Sequence, residues 1–455
     1  MMNKTLLTLS FTTLLCLFNS CVSKDDDPIG TNPFDTISVS NNKIRDKVVI
    51  ISDLHLGNDI TYSENVKHLA RLQEFLTNVK KSSTIKELVL GGDIFDEWYV
   101  PSRTNTYNNG TQADFIRKTV VTNSGVFKAL NDIISEGKIK LTYVPGNHDM
   151  GFTAENVNIG LPGVNQARDS GNKWGVGTYS PIDYPQIAIE HGHRYDFFAN
   201  ITPGGADNDA PNTILPPGYF FARIAANSFT NPTTPEESTK VSYVSLTNKN
   251  DASQVSKSIY DSLWVKVLTG VIYVDDNFSE PIINTGIGNF TKSYSINDIL
   301  PYNDKDGSIK MKLYDNLFTQ AAWEERLVYN NVPVMTNIDE AINGSLDTRF
   351  IDKQSAVQYF NNDRSPCRIV IFGHTHKPDL WTFDNDRGEK CIYANSGTWE
   401  DKKMRDKSQQ LDQDNINMNY IVVSPIKGDK KHLQVALYQY EYGNPILKKS
   451  ADVNL

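Results

Sequence analysis

The sequence has little cysteine, no excess of positive charge and few long apolar runs. Four cysteines in 455 residues, at spacings that match no metal-binding pattern, disfavour a structural zinc site. A net charge of -9 argues against non-specific nucleic-acid binding, which needs a basic surface. The chain shows no internal repeat and no glycine-rich nucleotide-binding fingerprint. An apolar content of 39% is nevertheless ample for a large core.

The N-terminus has the layout of an export signal. Lys4 precedes an apolar run over 6–18 that is too short to hold the chain across a bilayer, and small or polar residues lead from it into Cys21. This arrangement resembles a bacterial lipoprotein cleavage site. It predicts a lipoprotein signal peptide over 1–20 and membrane attachment through a lipid on Cys21. A plain signal peptide with a chance cysteine is the alternative.

The segment after the signal is polar and lacks periodicity. Residues 21–46 are rich in Asp, Asn, Ser and Thr, which predicts a flexible tether. Its start, 23–27, resembles the acidic signal that sends some lipoproteins to the outer cell surface. We therefore predict an exported lipoprotein of the outer membrane, facing the cell surface or the periplasm. Two cysteines would remain in the folded domain, as a disulfide or as two buried thiols: Cys367 and Cys391.

Short apolar runs alternate with amphipathic segments along the rest of the chain. Strands are predicted at 47–52, 88–90, 139–144, 186–190, 368–372, 391–394, 419–423 and 433–440. Helices are predicted at 64–81, 113–136, 254–268 and 310–329, and a long loop at 151–184. Alternation of strand and helix favours an α/β fold. The stretch 197–366 predicts an inserted, mainly helical lid or substrate subdomain that divides the main domain into 47–196 and 367–455.

Five short polar motifs follow predicted strands and contain six of the eight histidines. They are Asp53-Leu54-His55, Gly91-Gly92-Asp93, Gly146-Asn147-His148-Asp149, His191-Gly192-His193 and Gly373-His374-Thr375-His376. Ligands of open α/β sheets bind at the carboxyl ends of the strands, so the motifs are expected to meet there. In an extended chain, residues i and i+2 point the same way, so the first and last motifs would each aim two side chains into one site.

These motifs offer oxygen and imidazole ligands without cysteine, a set that suits Mn, Fe or Zn. We expect two divalent metal ions, with manganese favoured, joined by a shared aspartate. A hydroxide held between them would attack a phosphate ester in line with the leaving group. Each motif alone could be a turn, a helix cap or an ordinary polar residue. The whole set, in this order and each after a strand, predicts a metal-dependent phosphoesterase.

The motifs resemble those of the calcineurin-like metallophosphoesterases, D-x-H, G-D-x-x-D, G-N-H-[DE], a lone His and G-H-x-H. The second of these patterns, G-D-x-x-D, is matched here by Gly92-Asp93-Ile94-Phe95-Asp96. The resemblance covers roughly 47–196 and 367–440, and it implies a four-layer αββα sandwich. By position, it implies that Asp93 bridges the two metals. It assigns the first metal to Asp53, His55 and His376. It assigns the second metal to Asn147, His191 and His374.

Further roles follow from the same resemblance. His148 matches a histidine that contacts the phosphate and can protonate the leaving oxygen, and Asp149 would orient it. Asp96 either takes a direct part or only supports the bridging aspartate. His193 could contact substrate phosphate or pack against the insertion, and we favour substrate contact. Arg194 is a second candidate for substrate binding, with a salt-bridged role as its alternative.

A narrower likeness is to the branch that contains UDP-2,3-diacylglucosamine pyrophosphatases. It rests on the segments 52–56, 92–98 and 395–399, and that branch also inserts a helical lid. Two departures concern the substrate. The branch has His-Gly-Asp where this chain has His191-Gly192-His193, and its chemistry is cytoplasmic whereas this chain carries an export signal. The mechanism is therefore carried over and the substrate is not.

The leading prediction is an exported, dinuclear metal phosphoesterase acting on a phosphorylated small-molecule or lipid-linked substrate. One alternative is a pyrophosphatase of a nucleotide-sugar or lipid-linked diphosphate, with the insertion as a lid over an acyl chain. Another is a non-catalytic surface binding lipoprotein on the same fold. Loss of catalysis would predict decay of the ligand positions, and all seven expected ligands are present.

Overall fold

The computed structural model describes residues 33–34, 44–171, 174–204, 210, 212–234, 236–274, 277–345, 347–401, 418–441 and 443–455. The predicted signal peptide over 1–20, the predicted lipid site Cys21 and most of the predicted tether lie outside the described residues. Within the part that is described, none of the helices combines the length and the apolar character needed to cross a membrane.

The described residues form fifteen strands and nine α-helices. The strands are β1 (Lys47–Ile51), β2 (Ile85–Gly91), β3 (Lys140–Val144), β4 (Asn165–Gln166), β5 (Ile187–Ile189), β6 (Ile283–Asn284), β7 (Ser293–Tyr294), β8 (Tyr302–Asn303), β9 (Ile309–Lys310), β10 (Ile369–Phe372), β11 (Asp379–Asp384), β12 (Lys390–Asn395), β13 (Asn419–Ile426), β14 (Asp429–Glu441) and β15 (Asn444–Asn454). The helices are α1 (Leu69–Lys81), α2 (Gln112–Thr122), α3 (Ser124–Glu136), α4 (Ala154–Gly160), α5 (Gly218–Thr230), α6 (Ala252–Gly270), α7 (Gln320–Tyr329), α8 (Ile338–Gly344) and α9 (Thr348–Ser355).

Two sheets carry the motifs. The larger has the strand order β15-β14-β13-β1-β2-β3-β4, and the smaller has the order β11-β12-β10-β5. The motif-bearing strands β1, β2 and β3 are parallel, and so are β5 and β10. Strand β13 runs antiparallel between β1 and β14. The carboxyl ends of the parallel strands therefore supply one edge at which the motifs can meet.

Successive side chains of β1 point to opposite faces of the larger sheet and enter two different apolar cores. Val48 faces the smaller sheet and shares a core with Ile369 of β10, whereas Val49 faces the helices and packs in a core with Leu76 of α1. The outer face of the smaller sheet, with Phe372, belongs to a third core that includes residues of α5 and α6. Each fully buried side chain of this size stabilises the fold by about 1.5–3 kcal/mol. The layers are helix, sheet, sheet, helix, so the predicted α/β fold class is confirmed.

The helix α1 shows how apolar residues on one helical face allowed a helix to be predicted from the sequence. Its buried residues recur at helical spacing and face the larger sheet: Leu72, Phe75, Leu76 and Val79. The predicted helix over 64–81 starts later than expected, at Leu69. The predicted helix over 113–136 is two helices, because Asn123 leaves helical geometry and donates from Nδ2 to the Gly57 carbonyl at 2.8 Å. Gly137 ends α3 in a left-handed conformation with φ 65°.

Other elements depart further from the sequence prediction. The predicted helix over 310–329 is α-helical only in α7, because Lys310 pairs in β9 and Tyr314 has a left-handed φ of 65°. A short 3-10 helix, Asp315–Leu317, lies between Tyr314 and α7. The predicted loop over 151–184 contains α4 and β4. The sequence reading omitted α5, α8, α9, β11 and β15. Cys367 and Cys391 are buried free thiols, so the disulfide alternative does not hold.

One described residue of the predicted tether is packed into the domain. Phe34 is 6% exposed, and its ring lies 5.4 Å from that of Phe75 and 5.9 Å from that of Tyr420. Both partner rings belong to the core between the larger sheet and its helices. The segment that precedes β1 is therefore attached to the domain at Phe34.

Candidate metal centre

The ligand candidates follow strand ends, and five of them have left-handed backbone conformations. The φ values are 53° at Asp53, 45° at His55, 53° at Asp93, 66° at His374 and 57° at His376. The extended geometry assumed for the i, i+2 pairs was wrong, since the side chains converge through tight turns. A left-handed non-glycine residue costs on the order of 1 kcal/mol. Backbone hydrogen bonds between the loops offset part of that cost, such as Asp53 N to the Gly92 carbonyl at 2.9 Å.

Four predicted ligands form the first half of the centre. One ligand atom from each of Asp53, His55, Asp93 and His376 lies within 4.8 Å of the others. His376 Nε2 is 3.1 Å from Asp53 Oδ1, and His55 Nε2 is 3.8 Å from Asp93 Oδ2. This is the set that the sequence assigned to the first metal together with the bridging aspartate.

The second half shares Asp93 with the first. Ligand atoms of Asp93, His191 and His374 lie within 4.8 Å of one another. His191 Nε2 is 3.0 Å from Asp93 Oδ2 and 3.1 Å from the amide oxygen of Asn147. All seven predicted ligands therefore meet at one place, with the Asp93 carboxylate between the two halves.

Two glycines permit this close packing. A Cβ on Gly146 would lie 2.1 Å from Asp93 Oδ1, and a Cβ on Gly92 would lie 2.4 Å from His191 Nδ1. Gly92 also has φ 97°, a conformation that side-chain-bearing residues rarely adopt. The glycines of these motifs are thus needed because the backbone lies directly against the ligands.

The histidines are oriented through their other ring nitrogen. His55 Nδ1 lies 3.0 Å from Asp96 Oδ2 and 3.2 Å from Glu64 Oε2. His376 Nδ1 lies 2.9 Å from Glu400 Oε1. These contacts fix the Nδ1 side of each ring and leave Nε2 for the metal. Asp96 therefore supports His55 rather than the bridging aspartate.

The second half has a different support. His191 Nδ1 lies 2.9 Å from the Gly91 carbonyl oxygen. His374 Nε2 lies 3.1 Å from Asp196 Oδ2, and Asp196 Oδ1 also accepts from Ser345 Oγ at 2.7 Å. Asp196, like Glu64 and Glu400, was missed by sequence reasoning, because none of the three belongs to a motif. Glu400 directly follows the segment 395–399, on which the narrower family likeness rests, and this position was the one sequence feature that pointed to it.

The predicted catalytic pair is only partly brought together. His148 Nδ1 lies 2.7 Å from Asp96 Oδ1, and its ring lies 4.9 Å from that of Trp98. Asp149 does not orient His148, so that prediction was wrong. Its carboxylate instead accepts backbone N–H groups of Gly146 at 2.7 Å and of Ile94 at 2.9 Å. Asp149 thereby joins two ligand loops.

Neither predicted substrate-binding residue lies on the cavity. His193 is 2% exposed, and its ring packs 5.4 Å from that of His191, where it is buried with the ligands. Arg194 is buried and paired, with Nε 2.7 Å from Glu190 Oε2 and one guanidinium nitrogen 2.9 Å from Asp169 Oδ2. Substrate contact is therefore wrong for both, and the salt-bridged alternative holds for Arg194.

The electrostatics of the centre favour bound cations. Among the described residues, no lysine or arginine pairs with the buried Asp53, Asp93 or Asp96. Burial would raise the pKa of Asp93, but His191 and His148 hold it well below its usual value. Burial would lower the pKa of His191, but Asp93 and Asp53 raise it to about 9. Protonated imidazoles thus neutralise these carboxylates in the metal-free site.

Carboxylate, amide and imidazole donors around a shared aspartate fit two divalent cations, which would replace those protons. The fit rests on the donor chemistry and on the concentration of buried negative charge. It does not discriminate between Mn, Fe and Zn, all of which accept such a set.

A cavity of about 460 Å³ opens onto the centre. His55, Asn147, His148, His374 and His376 line one end of it. Residues that precede α5 or lie on α5 and α6 line most of the apolar remainder, among them Phe198, Ala222, Leu263 and Trp264. A volume of this size accommodates a small-molecule ligand. The arrangement can therefore hold two metal ions at the base of a pocket that admits a phosphate ester.

Comparisons with known proteins give one family match and several structural similarities. Residues 46–241 match the family model described as calcineurin-like phosphoesterase. This match covers less than half of the chain, so the chain is similar to that family over 46–241. Two solved structures are similar to the chain at about a tenth sequence identity.

One is a single mutant of Vps29 from Entamoeba histolytica, with 9% identity and a TM-score of 0.26, covering 90% of this chain and 99% of that chain. Another is the purple acid phosphatase PPD1 from yellow lupin (Lupinus luteus) seeds, with 10% identity and a TM-score of 0.32, covering 90% of this chain and 53% of that chain. The chain thus spans about half the length of the lupin enzyme. No curated protein matches the sequence.

Proposed function

We propose that this chain is a metal-dependent phosphoric ester hydrolase that uses two divalent ions. The observation that carries the proposal is the convergence of six ligands on a shared Asp93, with His148 beside them at the cavity. The ions would supply Lewis-acid activation of the phosphate and of an attacking water. Asp53, His55 and His376 would hold one ion, and a second group of three would hold the other: Asn147, His191 and His374.

Side chains of the protein would supply the proton that the leaving oxygen needs. Asp96 binds His148 Nδ1 and leaves Nε2 as the nitrogen available to substrate. The Asp96 and Asp93 carboxylates outweigh burial and raise the pKa of His148, which favours the protonated form of the ring. His148 would donate that proton to the leaving oxygen as the ester bond breaks, a transfer typically worth 10²–10⁴-fold.

The location of the enzyme is a further part of the proposal. The apolar run over 6–18 followed by Cys21 supports an exported lipoprotein of the outer membrane, held there by its lipid. The net charge of -9 makes nucleic acid an unfavourable substrate.

A second candidate is a pyrophosphatase of a nucleotide-sugar or lipid-linked diphosphate. One observation favours a lipid-linked substrate: the cavity continues from the metal centre along apolar residues of α5 and α6. Those helices could cover an acyl chain. The two candidates share the metal centre and differ in the leaving group.

The test is hydrolysis of a chromogenic phosphomonoester and of the matching diester by the full-length chain. The protein is stripped of metal, reloaded with Mn²⁺, and assayed with and without chelator. We expect turnover that requires metal and that saturates at two ions per chain. Undiminished turnover in chelator would contradict the proposal, and a diphosphate hydrolysed far better than either ester would favour the second candidate.

A further inference from the structure

The cavity above the metal centre has two chemically different ends. Its base is formed by the metal ligands and His148. Its far wall is apolar and comes from the chain around α5 and α6: Phe198, Phe221, Ala222, Leu263, Trp264 and Val267. A phosphate held at the base would therefore direct its leaving group toward the apolar wall.

The apolar wall is part of a packed core. Phe198 stacks on Tyr260 with ring centroids 5.1 Å apart and planes 2° apart, and the ring of Phe221 lies 6.4 Å from that of Trp264. Tyr260 and Trp264 are buried in the core that also covers the outer face of the smaller sheet. The wall is thus a preformed surface, which suits a small apolar group.

The charge of the cavity lining restricts which chemical group can be attached to the bound phosphate. Three carboxylates lie on the cavity, those of Glu64, Asp196 and Glu400, whereas none of its described lining residues is a lysine or an arginine. Each of these carboxylates already contacts a ligand histidine, and a second phosphate group would find no lysine or arginine among the described lining residues to pair with. Removing a charge from water without a partner is costly, so such a group is disfavoured.

We infer that the substrate is an ester with a single phosphate whose leaving group is uncharged and apolar, either aromatic or alkyl. This inference rests on the proposed function and narrows it. Metal ions held by the ligands would bind the only charged group of the substrate, and the α5–α6 wall would contact the rest. Nucleotides, sugar phosphates and diphosphates are expected to be poor substrates.

The experiment uses a series of 4-alkylphenyl phosphates, from methyl through butyl to hexyl. The phenol stays chemically similar along the series, so the reactivity of the ester changes little while the apolar area grows. The metal-loaded full-length chain is assayed for phosphate release, with glycerol phosphate and 4-hexylphenyl diphosphate alongside. Each methylene that becomes buried should raise kcat/KM by up to about fourfold.

Variants test whether the wall is responsible. Ala225→Leu narrows the cavity, and Ala222→Leu does so one helical turn earlier. Either should reduce the ratio of kcat/KM for the hexyl ester to that for the methyl ester by tenfold or more. Val121→Leu is the matched control, because Val121 is 74% exposed on α2, and it should leave that ratio unchanged. Metal content measured for each variant separates a narrowed cavity from a misfolded chain.

The outcomes separate the inference from the proposed function. Metal-dependent turnover with a flat alkyl series, or with the diphosphate preferred over the hexyl monoester, would overturn the inference alone. Absence of metal-dependent turnover with every ester would overturn both. A rising series that the Ala225 variant flattens supports the inference.

Discussion

The two halves of the metal centre share Asp93 but have unlike surroundings. In the half with His55 and His376, three carboxylates lie against the Nδ1 atoms of the two histidines. In the other half, the described residues place one non-ligand carboxylate against a ligand histidine, Asp196 beside His374. His191 Nδ1 has a backbone carbonyl as its partner, and the amide of Asn147 replaces a charged ligand. The same ligand types are therefore placed in two different electrostatic environments.

The difference predicts that two ions held there, as proposed, would be bound with unequal affinity. A carboxylate partner makes an imidazole a more basic ligand, and such partners typically change metal affinity by 10–100-fold. The half supported by Asp96, Glu64 and Glu400 should therefore bind its ion more tightly and load first. The half with Asn147 should lose its ion first on dilution or chelation.

The largest effect is expected when the group common to both halves is removed. Asp93→Ala takes away the bridging carboxylate, and loss of several kcal/mol of charge stabilisation lowers kcat on the order of 10³-fold or more. Metal titration should show fewer than two ions per chain. Asp363→Ala is the control, because its side chain is 96% exposed, and it should retain full activity and metal content. Retained turnover in Asp93→Ala would contradict a shared ligand.

The next effect separates metal binding from proton transfer. His148→Gln should keep two ions per chain and lower kcat by about 10²–10⁴-fold, because the proton donor is lost while the ligands remain. Steady-state kinetics and metal analysis on the same sample test this. His432→Gln, on β14, is the matched control. A parallel loss of metal in the His148 variant would show that His148 acts as a ligand instead.

A smaller effect tests the asymmetry itself. Glu400→Gln weakens the carboxylate support of His376, so we expect the affinity of the tighter ion to fall about 10–100-fold and that of the weaker ion to change little. Titration calorimetry with Mn²⁺ resolves the two sites. The exposed Glu325 on α7 provides the control substitution Glu325→Gln. Equal weakening of both sites would remove the distinction between the halves.

The smallest effect concerns pH. Histidine has an ordinary pKa of 6.5, and in the metal-free site Asp93 and Asp53 outweigh burial to raise that of His191 to about 9. Between these values the folded chain binds more protons than the unfolded chain, so the free energy of unfolding falls as pH rises. The melting temperature of metal-free protein should decline from pH 6.5 to 9. Metal-loaded protein should show a much weaker decline, since a divalent ion has replaced the proton.

Sequence reasoning was sufficient for ligands that belong to motifs. Asp53, His55 and His374 could be placed because each follows an apolar run, and strand ends meet at one sheet edge. The same argument cannot locate Glu64, Asp196 or Glu400, which come to the site from separate loops. Only the folded chain shows that they support metal ligands.

Two corrections have the same physical origin. Arg194 and His193 were candidates for substrate contact because they follow His191 in the sequence. The chain turns into a short 3-10 helix after Gly192, where φ is 103°, and this buries both side chains behind the ligands. The side chains of His193 and Arg194 therefore do not point into the cavity, although both residues are close to His191 in the sequence. The fold class was predictable because strand and helix periodicities are strong, whereas α5 begins at Gly218 directly after Pro216 and Pro217, where the sequence favours a turn.

The pairing of β1 with β13 has a consequence for how the protein is made. Ile50 lies opposite Ile421, so the first and thirteenth strands are adjacent although nearly the whole chain separates them. A contact of such sequence separation forms slowly, because a very long loop must close first. A chain emerging from the ribosome therefore cannot complete the larger sheet until synthesis is almost finished. If the protein is exported as proposed, this late closure would help to keep it unfolded during passage through the membrane.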